Sequence, residues 1–273
     1  MRRLLHPIYE YLALWFGLGL LGIMCILWSP VSFVLYHLMP RTRGGEFGRY
    51  MNMFWFRHYL WMLASTGSCR FDLTELDALR GQGPLLIAPN HPSLIDALLV
   101  VSRLPNVVCI MKTDLRNNFF MRGGARFAQY ISNESMREMI RGATEALQRG
   151  DHVLLFPEGS RTVRPPVNDF TALIGLIARS ANVPVQTVLI ESSSRFLGKG
   201  WPLFRRPSMP ITYRLRVGRQ FAPPADVRAF TRELQDYMGA ELATSTRVPA
   251  PEAAEVAPAP AQSPVTPNLG QGT

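Results

Sequence analysis

Residues 84–101 read PLLIAPNHPSLIDALLVV, and this stretch decides the fold. Its first six residues form an apolar run that is typical of a buried strand. Pro92 then predicts the first turn of a helix, because proline is favoured at that position and a long apolar segment follows it. A buried strand that passes directly into a helix is the repeating unit of proteins built on a parallel sheet.

The rest of the chain repeats this alternation of apolar strands and amphipathic helices. Asn133 is predicted to cap one of the helices at its amino end. The sequence therefore predicts an α/β fold, with a largely parallel mixed sheet flanked by helices. Further strands are predicted at 107–111, 152–156, 183–190 and 211–217, and further helices at 134–149, 169–181 and 224–242.

The composition bounds the domain organisation. The chain has 273 residues, of which 47% are hydrophobic and 18% charged, and this balance excludes intrinsic disorder for most of its length. We assign residues 69–245 to one α/β domain. Residues 246–273 are rich in proline and alanine and contain no aromatic residue, so they are predicted to form a disordered tail.

The amino-terminal segment is predicted to anchor the protein to a membrane. Residues 11–40 contain no Asp, Glu, Lys or Arg, and the run is too long for the apolar core of a signal peptide. One spanning helix needs about 20 residues, so the run is long for one span and short for two. Two forms of the anchor at residues 1–45 stay open: a helical hairpin broken near Ser29 and Pro30, or a single tilted helix.

The charges around this run predict its orientation. Arginines flank it on both sides, which favours the cytoplasmic (inner) membrane with the α/β domain facing the cytoplasm. Residues 46–68 mix aromatic residues with arginine and histidine, so we predict an interfacial helix at the lipid headgroup layer. A helix buried within the α/β domain is the alternative for this segment.

The strand–helix junction carries a histidine and an aspartate. His91 follows the strand, and Asp96 lies five residues later. This spacing is too long for one helix face, but a residue near the helix cap can fold back to meet the carboxylate. The carboxylate would then hold the imidazole tautomer and stabilise the imidazolium, which leaves the other ring nitrogen as a general base.

A second motif, FPEGSRT, follows the predicted strand at 152–156. Gly159 allows a ligand to approach the backbone closely, and Arg161 offers a planar fork for phosphate or carboxylate. Glu158 can orient an acceptor. Ser160 is not read as a nucleophile, because the G-x-S-x-G pattern of serine hydrolases is absent.

These two motifs in this order resemble the glycerolipid acyltransferase family, whose best-known members are the 1-acylglycerol-3-phosphate acyltransferases. The resemblance covers residues 83–218 and includes the hydrophobic anchor. It implies acyl transfer from acyl-CoA or acyl-carrier protein to the hydroxyl of a lysolipid, in phospholipid biosynthesis. His91 would deprotonate that hydroxyl with support from Asp96, and no covalent acyl-enzyme is needed. Residues 158–161 (Glu158, Gly159, Ser160 and Arg161) would bind the acceptor.

Two cations of the family pattern are missing. Lys112 keeps its place in the family's second motif, but an expected arginine is Asn133 and a later lysine is Thr171. Lys112 and Asn133 are therefore retained as possible substrate contacts. A charged hydrogen bond to phosphate contributes about 1.5–3 kcal/mol, so the losses keep open a phosphate-free acceptor such as an aminolipid, glycolipid or pigment lipid.

The remaining expectations concern partners. The net charge is +9, but no dense run of Lys and Arg is present, so we predict no nucleic-acid partner. No metal and no cofactor are expected, with acyl-CoA or acyl-carrier protein as co-substrate and membrane lipids as partners. The oligomeric state stays open. A loose basic group could meet CoA phosphates, an acidic carrier protein or anionic lipid; its members are Arg195, Lys199, Arg205 and Arg206.

Two further function classes stay open beside the acyltransferase. A non-catalytic relic would bind lipid or carrier protein without turnover, although the intact His91 and Asp96 argue against it. A thioester hydrolase would use water in place of the acceptor and release free fatty acid.

Overall fold

Seven strands form one sheet, and helices cover both of its faces. In the computed structural model, which describes residues 2–114, 118 and 121–245, the predicted α/β fold is confirmed. The strands are β1 (Cys69–Asp72), β2 (Leu86–Pro89), β3 (Val107–Met111), β4 (Ile131–Ser132), β5 (His152–Leu154), β6 (Val185–Ser192) and β7 (Ile211–Phe221). The helices are α1 (Arg2–Leu38), α2 (Arg41–Ser65), α3 (Asp96–Val101), α4 (Arg122–Phe127), α5 (Met136–Gln148), α6 (Leu173–Ala181) and α7 (Val227–Ser245), with a 3₁₀ helix at Thr74–Leu79.

The sheet is mixed, in the order β1-β7-β6-β2-β5-β3-β4. Every neighbouring pair is parallel except β6 and β7, which run antiparallel with Ile190 opposite Leu215. The carboxyl ends of β2, β5, β3 and β4 therefore meet along one edge of the sheet, where α/β proteins place their ligands.

The two faces of the sheet carry separate cores, because successive strand residues point to opposite faces. Ile87 of β2 packs towards α2, α3 and α4. Residues in the middle of α1 are partly buried against the outer side of this core. Leu86 and Ala88 pack towards α5, α6 and α7. All the apolar amino-terminal helices thus lie on one face.

Helix α1 is continuous from Arg2 to Leu38, so of the two forms left open for this segment the hairpin broken near Ser29 and Pro30 is wrong. The Ser32 hydroxyl donates to the Ser29 carbonyl at 2.9 Å, directly beside the proline. Gly123 of α4 approaches the same carbonyl so closely that a Cβ atom there would lie 2.2 Å from it. Packing against α4 therefore supports the helix where proline weakens its hydrogen bonding.

Helix α1 is fastened to the rest of the protein near both ends. The Tyr9 hydroxyl donates to the Thr66 carbonyl at 2.9 Å. Towards the other end, the Trp28 indole N–H donates to Asn52 Oδ1 at 3.0 Å. The segment Leu5–Leu38 is long and apolar enough to cross a membrane, with a mean hydropathy of 2.1. Its outer face exposes Leu5, Ile8, Leu12, Trp15, Phe16, Ile23, Ile26, Leu27, Val34 and Leu38.

Helix α2 combines features of both alternatives for its segment, and it starts at Arg41 rather than at 46. Phe47 and Trp61 are exposed. On the other side, the buried Arg49 guanidinium donates to Asp151 Oδ1 at 2.9 Å and to Asn106 Oδ1 at 2.8 Å. The side chains of α2 thus join a buried polar network as well as forming part of the aromatic surface.

Several predicted helix starts are wrong: α6 begins at Leu173 and not at 169, and α7 begins at Val227 and not at 224. Two further starts are set by local hydrogen bonds. Helix α3 begins at Asp96 and not at Pro92, because residues 92–95 form turns in which Asp96 accepts a backbone hydrogen bond. Helix α5 is capped by Ser135, whose hydroxyl accepts from the Glu138 N–H at 3.1 Å, and not by Asn133. Both cases follow from local side-chain hydrogen bonds that compete with helix formation.

Other elements were not predicted. Strands β1 and β4, the 3₁₀ helix and helix α4 are short, and the sequence pattern did not single them out. The tail predicted at 246–273 lies outside the described residues.

Candidate active site

The first motif forms a tight turn at the carboxyl end of β2. His91 Nδ1 lies 2.9 Å from Asp96 Oδ2, as the sequence predicted for this pair. The Ser93 N–H donates to the same carboxylate oxygen at 2.7 Å. Asn90 fixes the strand end from the other side, because its side chain exchanges two hydrogen bonds with the backbone of Ile190 on β6. The turn is therefore held at both ends.

The His91 ring has a defined orientation. It stacks on the Phe156 ring with centroids 3.8 Å apart and planes 18° apart. Because Nδ1 faces the Asp96 carboxylate, Nε2 is the nitrogen left for a substrate, and it has no hydrogen-bond partner among the described residues. The side chain is 17% exposed, so a substrate can reach it while most of the ring is desolvated.

Asp96 is fully buried, and burial raises the pKa of its carboxyl. The hydrogen bond and charge of His91 and the Ser93 N–H favour the ionised form and offset part of that effect. Its Oδ1 has no hydrogen-bond partner within the described part of the chain. Oδ1 of Asp96 is thus buried without a partner among the described residues, and Oδ2 is hydrogen-bonded to His91 and to the Ser93 N–H.

Glu158 is buried, and both of its carboxylate oxygens accept hydrogen bonds from other groups of the protein. Oε1 accepts from the His91 N–H at 2.9 Å and from the Thr162 hydroxyl at 2.8 Å, and Oε2 accepts from the Asn168 N–H at 2.8 Å. The Thr162 N–H also donates to the His91 carbonyl at 2.7 Å. This carboxylate therefore joins the second motif to the first.

The other residues of the second motif line the turn after β5. Gly159 is exposed and has a φ of +64°, a conformation that favours glycine. Ser160 is half-buried, and its hydroxyl donates only to the Arg161 carbonyl, at 3.4 Å. Arg161 Nη1 donates to the Leu197 carbonyl at 2.8 Å and to the Gly198 carbonyl at 3.1 Å. The other N–H groups of Arg161 have no hydrogen-bond partner in the described part of the chain.

Lys112 and Asn133 lie farther along the same edge of the sheet. Lys112 follows β3 and is exposed, and Asn133 follows β4. Asn133 Oδ1 accepts from the Thr113 N–H at 3.0 Å, so this side chain holds the end of the neighbouring strand. Strand β5 lies between β2 and β3, which separates Lys112 from the histidine strand by two strand spacings, or about 10 Å.

Several residues of this site were not singled out from the sequence. Phe156 and Thr162 stand inside the second motif, so their positions were available as a clue. Asn168 and Leu197 had no such clue, because they reach the site through loops. Leu197 has a φ of +56°, which is unusual for a residue with a Cβ and marks a strained turn.

Replacement of Asp96 by asparagine is expected to stabilise the fold at neutral pH, and the gain should shrink as the pH falls. The folded-state pKa of Asp96 is raised above its unfolded value of about 3.9, so folding is penalised where the carboxyl is ionised. The penalty fades as the pH drops from the folded pKa towards the unfolded value. Urea unfolding of both proteins across this range measures the difference, with Asp236→Asn, an exposed residue of α7, as the control. A difference that grows towards acid pH would contradict this expectation.

Comparisons with known proteins show which family and which enzymes this chain resembles. A family model described as Acyltransferase matches residues 70–191, which include both motifs. A curated 1-acyl-sn-glycerol-3-phosphate acyltransferase of Pseudomonas aeruginosa is 21% identical over 206 residues, covering 73% of this chain and 76% of that protein.

The fold has a counterpart among solved structures. The crystal structure of the 1-acyl-sn-glycerophosphate (LPA) acyltransferase PlsC from Thermotoga maritima superposes with a TM-score of 0.65 at 18% identity. The match covers 90% of this chain and 98% of that one, so it includes the amino-terminal helices. The match of residues 70–191 to the acyltransferase family model, together with these relatives, supports an acyltransferase enzyme that resembles the enzymes of 1-acylglycerol-3-phosphate acylation.

Proposed function

We propose that this protein transfers a fatty acyl group from the thioester of acyl-CoA or acyl-carrier protein to the hydroxyl of 1-acylglycerol-3-phosphate, in phospholipid biosynthesis. The observation that carries the proposal is the 2.9 Å contact between His91 Nδ1 and the buried Asp96. It leaves Nε2 as a general base beside a partly open surface. The Pseudomonas aeruginosa relative, named for this activity, supports the choice of acceptor.

The chemistry needs one base and no covalent intermediate. His91 Nε2 accepts the proton of the acceptor hydroxyl while the hydroxyl oxygen attacks the thioester carbonyl. Asp96 stabilises the imidazolium that forms. The tetrahedral intermediate then expels the thiolate, which takes the proton from the imidazolium, so the products are an ester and a free thiol.

Two residues of the second motif have different tasks in this proposal. Glu158 is a positioning residue, because its oxygens are occupied by His91, Thr162 and Asn168. Arg161 is the cation for the acceptor phosphate. Its guanidinium is anchored through Nη1, and its other N–H groups, which have no partner among the residues that the structure describes, can make a charged hydrogen bond.

The contacts between α1 and the rest of the protein support one orientation of this helix in the membrane. Its contacts at Tyr9 and Ser32 are 23 residues apart, or about 35 Å along the helix, which exceeds the roughly 30 Å of bilayer hydrocarbon. A helix that lies on the protein over this length cannot cross the bilayer without carrying the sheet with it. We therefore propose that α1 lies along one face of the membrane with its exposed side in the lipid. The arginines that flank residues 11–40 support the cytoplasmic membrane, with the catalytic domain in the cytoplasm.

Acyl transfer from labelled acyl-CoA and from acyl-carrier protein tests the proposal directly. Lysophosphatidate should be acylated faster than a monoacylglycerol of the same chain length. Arg161→Gln should weaken the use of lysophosphatidate by about tenfold or more, since a charged hydrogen bond is worth about 1.5–3 kcal/mol. Arg164→Gln is the matched control, because Arg164 is exposed in the same loop. Equal loss in both variants would contradict a phosphate role for Arg161.

A phosphate-free acceptor is the second candidate, because Asn133 and Thr171 stand where the family pattern has cations. Their oxygens are used locally: Asn133 Oδ1 accepts from the Thr113 N–H, and the Thr171 hydroxyl donates to the Pro157 carbonyl at 3.2 Å. Turnover of only the phosphate-free lysolipid would favour this candidate. Release of free fatty acid without an acceptor would instead indicate a hydrolase.

A further inference from the structure

A basic and aromatic loop at residues 199–206 lies beside α1. It reads KGWPLFRR, and residues 192–210 around it contain four cations and no acidic residue. Leu203 and Phe204 are 46% and 57% exposed. Large exposed apolar side chains interleaved with cations are typical of protein surfaces that meet the lipid headgroup layer.

This loop is continuous with the exposed face of α1. Phe204 stacks on Trp15 of α1, with ring centroids 5.0 Å apart and planes 17° apart. The Arg206 guanidinium pairs with the buried Glu10 carboxylate of α1, and the Met209 N–H donates to Glu10 at 3.1 Å. The helix and the loop therefore form one surface, on the sheet face opposite to α5, α6 and α7.

The same stretch of chain also forms a wall of the candidate active site. The Leu197 carbonyl accepts from the Leu94 N–H at 3.1 Å as well as from Arg161. The Ser93 hydroxyl donates to the Phe196 carbonyl at 2.9 Å. Leu94, which lies between His91 and Asp96 in the sequence, is 46% exposed. The loop is thus connected at one end to α1 and at the other to the histidine turn.

We propose that loop 199–206 inserts into the headgroup layer of an anionic phospholipid bilayer and that the acceptor lipid enters the site from the bilayer beside it. Leu203 and Phe204 reach the acyl boundary, and Lys199 and Arg205 meet lipid phosphates. Arg205 also lies over the Trp201 ring, 5.0 Å from its centroid, which keeps an aromatic side chain next to the cation. The inference rests on the proposed function in one respect, that the acceptor is a membrane lipid.

The opposite face of the sheet provides a matched control. Met136 of α5 is an apolar side chain with the same 57% exposure as Phe204, and it also lies beside an arginine, Arg137. It belongs to the layer that packs on the other side of the sheet from α1. A contact with the bilayer through α1 and the loop leaves this position in water.

Fluorescence on vesicles tests the insertion without reference to activity. An environment-sensitive fluorophore is attached to Phe204→Cys or to Met136→Cys in a Cys25→Ala background, since Cys69 and Cys109 are buried. On vesicles that contain phosphatidylglycerol, the label at 204 should shift to the blue and be quenched by nitroxide lipids, while the label at 136 should do neither. A label at 204 that stays in water on vesicle-bound protein would overturn the proposal. A response to acyl-carrier protein alone would also overturn it and identify a protein-docking surface.

Kinetics test the second half of the proposal. Phe204→Asp should raise the KM for a long-chain lysolipid in vesicles about tenfold, because an apolar side chain no longer enters the lipid. Its kcat and KM for a short-chain lysolipid in solution should match the wild type, and Met136→Asp should match it on both acceptors. An unchanged KM on vesicles would overturn lipid entry beside the loop. If the proposed function is wrong, the wild type will not transfer acyl groups, but the fluorescence result will still stand. The two failures are therefore distinguishable.

Discussion

The His91→Ala variant is expected to lose acyl transfer by a factor of about 10² to 10⁴, the usual contribution of a positioned general base. The loss should fall on kcat, since the imidazole acts on the proton that moves in the transition state and Arg161 still holds the acceptor. Steady-state assays with labelled acyl-CoA and lysophosphatidate, at several acceptor concentrations, separate kcat from KM.

A loss of acyl transfer in His91→Ala reports on catalysis only when the variant stays folded. The contacts of His91 with Glu158 and Thr162 use its backbone N–H and carbonyl, which alanine keeps. Circular dichroism and thermal unfolding check this. His58→Ala is a suitable control, because His58 is an exposed residue of α2 whose ring contacts the Phe54 carbonyl. Activity within a fewfold of the wild type in His91→Ala would rule out the proposed mechanism.

The second large effect is on stability. Replacement of Arg49 by alanine leaves the Asp151 carboxylate buried without its main partner, and breaking such a pair costs about 3–5 kcal/mol of unfolding free energy. It also leaves Asn106 without the guanidinium that donates to its side-chain oxygen at 2.8 Å. Denaturant unfolding of the detergent-purified protein measures the change.

A second arginine on the same carboxylate makes a sharp control. Arg149 Nη2 donates to Asp151 Oδ2 at 3.2 Å, but its side chain is 45% exposed. Solvent screens such a pair, so Arg149→Ala should cost about 1 kcal/mol or less. Equal costs for the two arginines would show that burial does not set the strength of this interaction.

The sequence predicted what is local in the chain. The apolar run that becomes β2 and the contact between His91 and Asp96 lie within a dozen residues. Their geometry depends on short-range rules of strand burial and turn formation, which a single sequence displays. The second motif was found for the same reason, since its residues are consecutive.

What the sequence did not predict depends on residues far apart. The role of Glu158 in binding the acceptor stays a prediction, but its hydrogen bond with the His91 backbone, 67 residues away in the chain, was not predicted. The continuity of α1 through Pro30 depends on Gly123, which lets α4 approach the helix. The loop at Leu197 reaches Arg161 across 36 residues. Such contacts are set by tertiary packing, which local pattern and propensity do not encode.

Helix α2 also determines how this enzyme can be divided for experiment. Arg49 contacts Asn106 and Asp151, which precede β3 and β5, and Asn52 contacts Tyr130, which precedes β4. Leu60 and Leu63 pack near β1 at the far edge of the sheet. The helix has 25 residues, or about 37 Å, and so bridges the roughly 29 Å between the outer strands of a seven-stranded sheet. A truncation that starts at β1 would remove the helix that covers one hydrophobic core. The lipid-facing part and the catalytic part therefore form a single folding unit.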